Sequence, residues 1–174
     1  LAVARLDHGE LKLVEGLSEK VRLGGGLDAN NHLSEEAQAR ALACLSRFAQ
    51  HLEGIAPHRM RIVGTNALRV ARNASVFLQK AEKILNHPVE IIAGREEARL
   101  IYMGVAHTLA SQDRRLIIDI GGGSTELIIG QRFEPLLLES THMGCVSYAS
   151  RFFAEGAINP KAMERAITEA RQTL

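Results

Sequence analysis

The segment Asp119-Ile120-Gly121-Gly122-Gly123-Ser124-Thr125-Glu126 constrains this chain more than any other stretch. Apolar runs flank it on both sides, residues 116–120 before and 126–130 after. The link between them is far shorter than the dozen or so residues that a parallel crossover needs, so the two runs pair antiparallel. A third run at 136–139 extends the pair into a three-stranded meander. Consecutive glycines put no side chain in a ligand's way and let several backbone N–H groups converge on one point, a concavity suited to phosphate oxygens. Ser124 and Thr125 add hydroxyl donors, while Asp119 and Glu126, on either side of the turn, are placed to share a hard cation through oxygen ligands. The plain alternative is a hairpin closed by glycines, with its acids in water. The segment is not a Walker A loop, because no Gly-Lys-Ser/Thr occurs in it and it leads into a strand.

Two more segments stand directly after predicted strands. Gly94-Arg95-Glu96-Glu97-Ala98-Arg99-Leu100 follows a strand at 88–93 and opens a helix over 95–109. A helix start at a strand's carboxyl end faces the ligand crevice of an α/β sheet, so one of these acids could orient or deprotonate a water. Otherwise both complement the partial positive charge of the helix N-terminus. Gly64-Thr65-Asn66-Ala67-Leu68-Arg69 follows a strand at 60–63. Arg69 could clamp a phosphate through two parallel N–H bonds, with Thr65 or Asn66 lining the crevice, or could be a surface arginine. None of the seven histidines has a partner at metal-ligand spacing.

Elsewhere the pattern is architectural. Residues 1–6 and a second run from Leu11 read as a hairpin about Asp7-His8-Gly9-Glu10, and its second strand runs on through Lys20-Val21-Arg22-Leu23. Gly24-Gly25-Gly26 reads as a flexible loop rather than a phosphate site. Ser34 caps a helix that carries Glu35 and Glu36 in its first turn, presents Ala37, Ala41, Cys44, Leu45, Phe48 and Leu52 on one face, and ends at Gly54. Helices at 75–85 and 95–109, alternating with the strands at 60–63 and 88–93, predict a parallel sheet covered by helices. The pattern restarts around 110–114, and helices at 147–153 and after Asn159-Pro160 follow the meander. Hairpin strands then helices recur as meander then helices, but the first half lacks a counterpart of residues 116–120. Because the chain also opens on Leu1 rather than Met, we expect a window cut from a longer protein, with one strand and one glycine turn upstream.

A chain of 174 residues, 46% apolar and 24% charged, suits one globular domain or two small lobes and excludes disorder. A net charge of +1 lacks the footprint of a general nucleic-acid binder. No run approaches the ~18 apolar residues of a membrane-spanning helix. Cys44 and Cys145, far apart and each inside an apolar pattern, read as reduced structural thiols of a cytoplasmic protein.

The motifs GTNALR (64–69), GREEARLIYMGV (94–105), DIGGGSTELIIG (119–130) and MGCVS (143–147) together resemble the exopolyphosphatase and guanosine pentaphosphate phosphohydrolase family, essentially across the whole chain. The resemblance implies an α/β fold of two ribonuclease-H-like lobes, in the superfamily of actin, sugar kinases and heat-shock ATPases. Residues 1–100 would be the first lobe without its opening strand and phosphate loop, and 101–174 the connecting helix and the start of the second lobe. It implies Glu97 as catalytic base, Asp119 and Glu126 as ligands of Mg²⁺, Arg69 in the phosphate channel, and Gly121, Gly122, Gly123, Ser124 and Thr125 as the second phosphate-binding loop. The activity implied is hydrolysis of the terminal phosphoanhydride of inorganic polyphosphate. Gly64, Gly123 and Phe133-Glu134-Pro135 look closer to exopolyphosphatases than to the pentaphosphate enzymes. Guanosine pentaphosphate is the alternative substrate, and a non-catalytic phosphate- or nucleotide-binding regulatory module is the alternative of another class. A kinase or ATPase is the weakest reading, since no adenosine-binding element is evident. The full-length protein is expected to be a cytoplasmic homodimer without a nucleic-acid partner, and this fragment by itself inactive.

Overall fold

The glycine segment folds as the first turn of an antiparallel meander: β5 (Arg114–Ile120), β6 (Thr125–Gln131) and β7 (Glu134–Thr141) lie in the order β5-β6-β7. The structure, a computed structural model, describes residues 1–109, 111–153 and 156–174. The restart of the pattern expected from residue 110 therefore falls partly outside the described residues. In chain order the remaining elements are β1 (Ala2–Asp7), β2 (Glu10–Gly16), α1 (Glu35–Gln50), β3 (Val63–Gly64), α2 (Asn66–Val70), α3 (Ala74–Leu85), β4 (Glu90–Ile91), α4 (Gly94–Thr108), α5 (Cys145–Phe152) and α6 (Pro160–Thr173). They form two compact units, one of residues 1–62 and 72–89, the other of residues 63–71 and 90–174.

In the first unit, β1 and β2 pair through a two-residue turn whose residues, His8 and Gly9, both have positive φ, 51° and 87°. That conformation matches the twist of the flanking strands. The expected continuation at 20–23 does not form. Arg22 has a φ of 49°, which breaks extended backbone, and alternation alone makes no strand where no ladder is offered. Gly24–Gly26 is a single 3-10 turn rather than an open loop. The Ser34 hydroxyl accepts from the Ala37 N–H at 3.2 Å and starts α1 as expected. Ala37, Ala41 and Cys44 of α1 and Ala74, Phe77, Ala81 and Leu85 of α3 are buried, and the two helices pack together. Small residues on α1 permit this approach. Asn86 ends α3 in the left-handed region, φ 47°, which asparagine tolerates better than most residues.

In the second unit, β3 and β4 are parallel, in the sense expected, but the ladder is only two residues long. Among the described residues each has a single neighbour, and Pro88 has no N–H to extend the ladder. The meander buries one face against α4. Ala98, Tyr102 and Ala106 of the helix meet Ile128, with Ile101, Ile117 and Leu138 around them. Tyr102 lies across Gly130 and donates its hydroxyl proton to the Arg132 carbonyl at 3.0 Å, so the largest buried side chain leaves no unpaired polar atom. The other face carries Leu116, Ile118, Ile120 and Leu137, all exposed. Asn159 caps α6 through the Ala162 N–H at 2.9 Å. Both cysteines are free. Cys44 is buried, but Cys145 is exposed at the start of α5 rather than in a core. Among the described residues no helix is long and apolar enough to cross a membrane.

Candidate functional site

The β5–β6 turn closes on itself through a bond from the Gly121 N–H to the Ser124 carbonyl, 2.9 Å. Its carbonyls then meet α5. Gly121 accepts from the Cys145 N–H at 2.9 Å, and Gly122 accepts from Val146 and Ser147 at 2.8 and 3.0 Å. A helix begins with N–H groups that have no intrahelical acceptor, and here the turn supplies the acceptors. In a trans peptide the N–H points opposite to the carbonyl of the preceding residue. With the Gly121 and Gly122 carbonyls turned to α5, the N–H groups of Gly122 and Gly123 face away from it. Among the described residues neither donates a hydrogen bond.

On that turn sits the GTNALR segment. A Cβ placed on Gly123 would stand 2.2 Å from Asn66 Oδ1, so only glycine admits the asparagine there. Arg69, three residues further along α2, donates from Nη1 to the Ile92 carbonyl at 2.8 Å and to Glu97 Oε2 at 3.2 Å. The nearby Thr65 side chain also favours the ionised form of Glu97. The Glu97 side chain is 16% exposed, and burial pushes its carboxyl above the usual range, reinforced by the charge of Glu126 and opposed by Arg69 and Thr65. Glu96, its neighbour, turns elsewhere and takes a two-bond contact from Arg99 at 2.8 and 2.9 Å. The helical rotation of about 100° per residue separates the two acids.

Glu126 is fully buried and accepts from the Ser140 hydroxyl at 2.8 Å. Its cross-strand partners are Asp119 and Ser140, so all three share the sheet face that α4 covers. Asp119 is exposed. The start of α4 crowds Ser140: a Cβ on Gly94 would stand 2.4 Å from its Oγ and 2.5 Å from its Cβ. Glycine at position 94 is what lets α4 begin this close to β7.

The structure thus brings together Arg69, Glu97 and Glu126, and sets the glycine turn beside them through Asn66. Two expectations change in detail. The Thr125 hydroxyl donates to the Met143 carbonyl instead of being offered to the turn, because strand alternation sends it to the face opposite Glu126. Asp119 is open where Glu126 is enclosed, since it lies on an edge strand. Ser140 was not singled out from sequence. Its signal was a serine two residues after Leu138 on a core-facing register, opposite a glutamate, which becomes visible only once the β6–β7 register is known. No group of three or more His, Cys, Asp or Glu side chains that could hold a metal ion occurs among the described residues.

The chain is 49% identical over all 174 residues to a guanosine-5'-triphosphate,3'-diphosphate pyrophosphatase of Vibrio vulnificus, covering 35% of that protein. It is 47% identical over 166 residues to a putative exopolyphosphatase of Haemophilus influenzae, covering 95% of this chain and 51% of the relative. A crystal structure of an exopolyphosphatase-like protein superposes with a TM-score of 0.92 at 27% identity, over 99% of this chain and 55% of that one. The chain therefore spans about a third to a half of the curated relatives it matches. The fold is α/β, shared with that exopolyphosphatase-like protein. A family model matches residues 2–174, and the chain belongs to the Ppx/GppA phosphatase family.

Proposed function

We propose that this chain carries the site at which water cleaves the terminal phosphoanhydride of inorganic polyphosphate, in a longer enzyme. The observation that carries this reading is the Glu97 carboxyl, partly withdrawn from water, raised in pKa, and held by Arg69 beside a glycine turn two of whose N–H groups donate to nothing among the described residues. A carboxylate whose pKa is raised above its ordinary range is a stronger base towards a water proton. In this reading the Gly122 and Gly123 N–H groups bind oxygens of the terminal phosphoryl group, and the remaining donors of Arg69 flank it. Glu97 orients a water and takes its proton as the water oxygen bonds to phosphorus in line. The bond to the bridging oxygen breaks, and the shortened chain leaves with that oxygen. No covalent enzyme intermediate is needed.

The donor set fits a hard divalent cation. Glu126 is a carboxylate removed from water that accepts from the neutral Ser140 hydroxyl, and Asp119 is its cross-strand partner on the same face. Mg²⁺ typically takes one or two carboxylates and completes its shell with waters and phosphate oxygens. Asp119 and Glu126 would hold it. When bound it would neutralise charge on the phosphoryl oxygens. The division into lobes near residue 100, the homodimer and the cytoplasmic location belong to the same proposal.

A second substrate, guanosine pentaphosphate, is favoured by the relative at 49% identity, whose name places it on that nucleotide. Gly64, Gly123 and Phe133-Glu134-Pro135 favour polyphosphate. The deciding experiment measures phosphate release by the full-length protein from long-chain polyphosphate, guanosine pentaphosphate and ATP in parallel. Faster turnover of polyphosphate is expected. Preference for the nucleotide would move the assignment to the pentaphosphate enzymes, and no release from any of them would leave a binding module.

A further inference from the structure

Thr65, Asn66 and Arg69 are the polar side chains of the GTNALR segment, and two of them are committed to one acid. Arg69 donates to Glu97, and Thr65 favours its ionised form. Asn66 has no such partner. Its Nδ2 is buried and unpaired, and it is the one buried side-chain nitrogen or oxygen among the described residues that lacks a hydrogen bond. Burying a donor without an acceptor costs free energy, and such orphans in a folded protein call for a reason. The surroundings supply one. The Asn66 amide lies against Gly123, its Oδ1 2.2 Å and its Nδ2 3.7 Å from where a Cβ on that glycine would stand. It therefore adjoins the part of the turn whose N–H groups point away from α5 and are also without acceptors. An unpaired amide donor beside two unpaired backbone donors makes a concave, neutral donor set, and an oxyanion is the ligand that satisfies all of them at once.

The geometry points to Asn66 as a further phosphoryl-binding residue: its Nδ2 donates to an oxygen of the phosphoryl group held by Gly122 and Gly123, while Arg69 holds the base. This rests on the hydrolase reading above and divides the segment's labour between substrate and Glu97. Asparagine suits the place better than an acid, because a carboxylate there would repel the phosphoryl oxygens and add a charge beside Glu97 and Glu126.

The test compares Asn66→Leu and Asn66→Ala in the full-length protein. Leu keeps the volume and the packing on Gly123 and adds no charge but removes the donor; Ala removes both. Losing an oxyanion donor typically costs about 10²–10³-fold in rate. A loss of that order in kcat/KM for Asn66→Leu, no smaller than for Asn66→Ala, is expected. If Asn66 only spaces the turn, Asn66→Leu stays near wild type and Asn66→Ala suffers more, which overturns the proposal. Tripolyphosphate affinity, measured by calorimetry in a Glu97→Gln background, reads the same contact without turnover. At least tenfold weakening by Asn66→Leu is expected. Should the Leu variant lose its fold, Asn66→Ala carries the binding test alone, and unchanged affinity in it overturns the proposal. Absent hydrolysis by wild type with tripolyphosphate binding that depends on Asn66 would sink the hydrolase reading and leave this one standing. Normal hydrolysis with affinity indifferent to Asn66 would do the reverse. Absence of both hydrolysis and binding in wild type overturns both.

Discussion

Glu96 and Glu97 differ by one step along α4 and by everything around them. Glu96 lies against Arg99, whereas Glu97 is enclosed with Arg69, Thr65 and the field of Glu126. Position on the helix decides the role. If Glu97 is the general base, Glu97→Gln in the full-length enzyme lowers kcat by roughly 10²–10⁴-fold while substrate still binds, and Glu96→Gln does far less. Steady-state kinetics on the two variants, with their thermal midpoints, check this, and equal near-wild-type turnover would discard the assignment. Asp119 has its own measurement. As a metal ligand, its replacement in Asp119→Asn should shift the magnesium concentration giving half-maximal activity upward, by about tenfold or more, as loss of one carboxylate ligand implies. An unchanged magnesium titration would remove Asp119 from the site.

At the scale of elements, the site depends on how closely three pieces of backbone approach. The β5–β6 turn lends its carbonyls to α5, α2 lays Asn66 on Gly123, and α4 begins against Ser140 with no room for a Cβ at Gly94. Gly94→Ala should therefore push α4 away from β7, at a cost of about 1–3 kcal/mol, the usual range for overpacking a close contact. Urea denaturation of wild type and variant reads the loss. A stability within about 0.5 kcal/mol of wild type, the range of ordinary surface substitutions, would mean that Ser140 yields easily. Removing the Ser140 hydroxyl has a different signature. It takes from the Glu126 carboxylate the one side-chain donor it has among the described residues, so Ser140→Ala should weaken metal dependence and turnover with little change in packing.

Across the whole molecule, the candidate site works against stability. Glu97 has a pKa raised above its ordinary value by burial and by Glu126, so between the ordinary carboxylate range and that raised value the folded protein holds a proton that the unfolded chain gives up. Stability from this group is fully present at acid pH and is lost as pH rises through the raised pKa. Glu97→Gln should accordingly flatten that part of the pH dependence and leave the metal-free protein as stable as wild type, or more so, near neutral pH. Thermal midpoints between pH 4 and 8 without divalent metal check it, and a variant that loses stability most near pH 7 would contradict it. Much of this was readable from residue order alone. Two apolar runs joined by three glycines can only turn back on themselves, Ser34 and Asn159 start helices because their side chains accept the orphan N–H groups, and the alternation of strand and helix announces a parallel pair. Those are local rules, obeyed by the chain whatever surrounds it. The tertiary structure decided what local rules cannot reach: that residues 20–23 have no strand to pair with, that the Thr125 hydroxyl turns to Met143, that Ser140 stands beside Glu126, and that of two adjacent glutamates it is Glu97 that meets Arg69 near a second acid. Each depends on which segments, tens of residues apart, come into contact, and contact sets both the dielectric around a charge and the partners it finds.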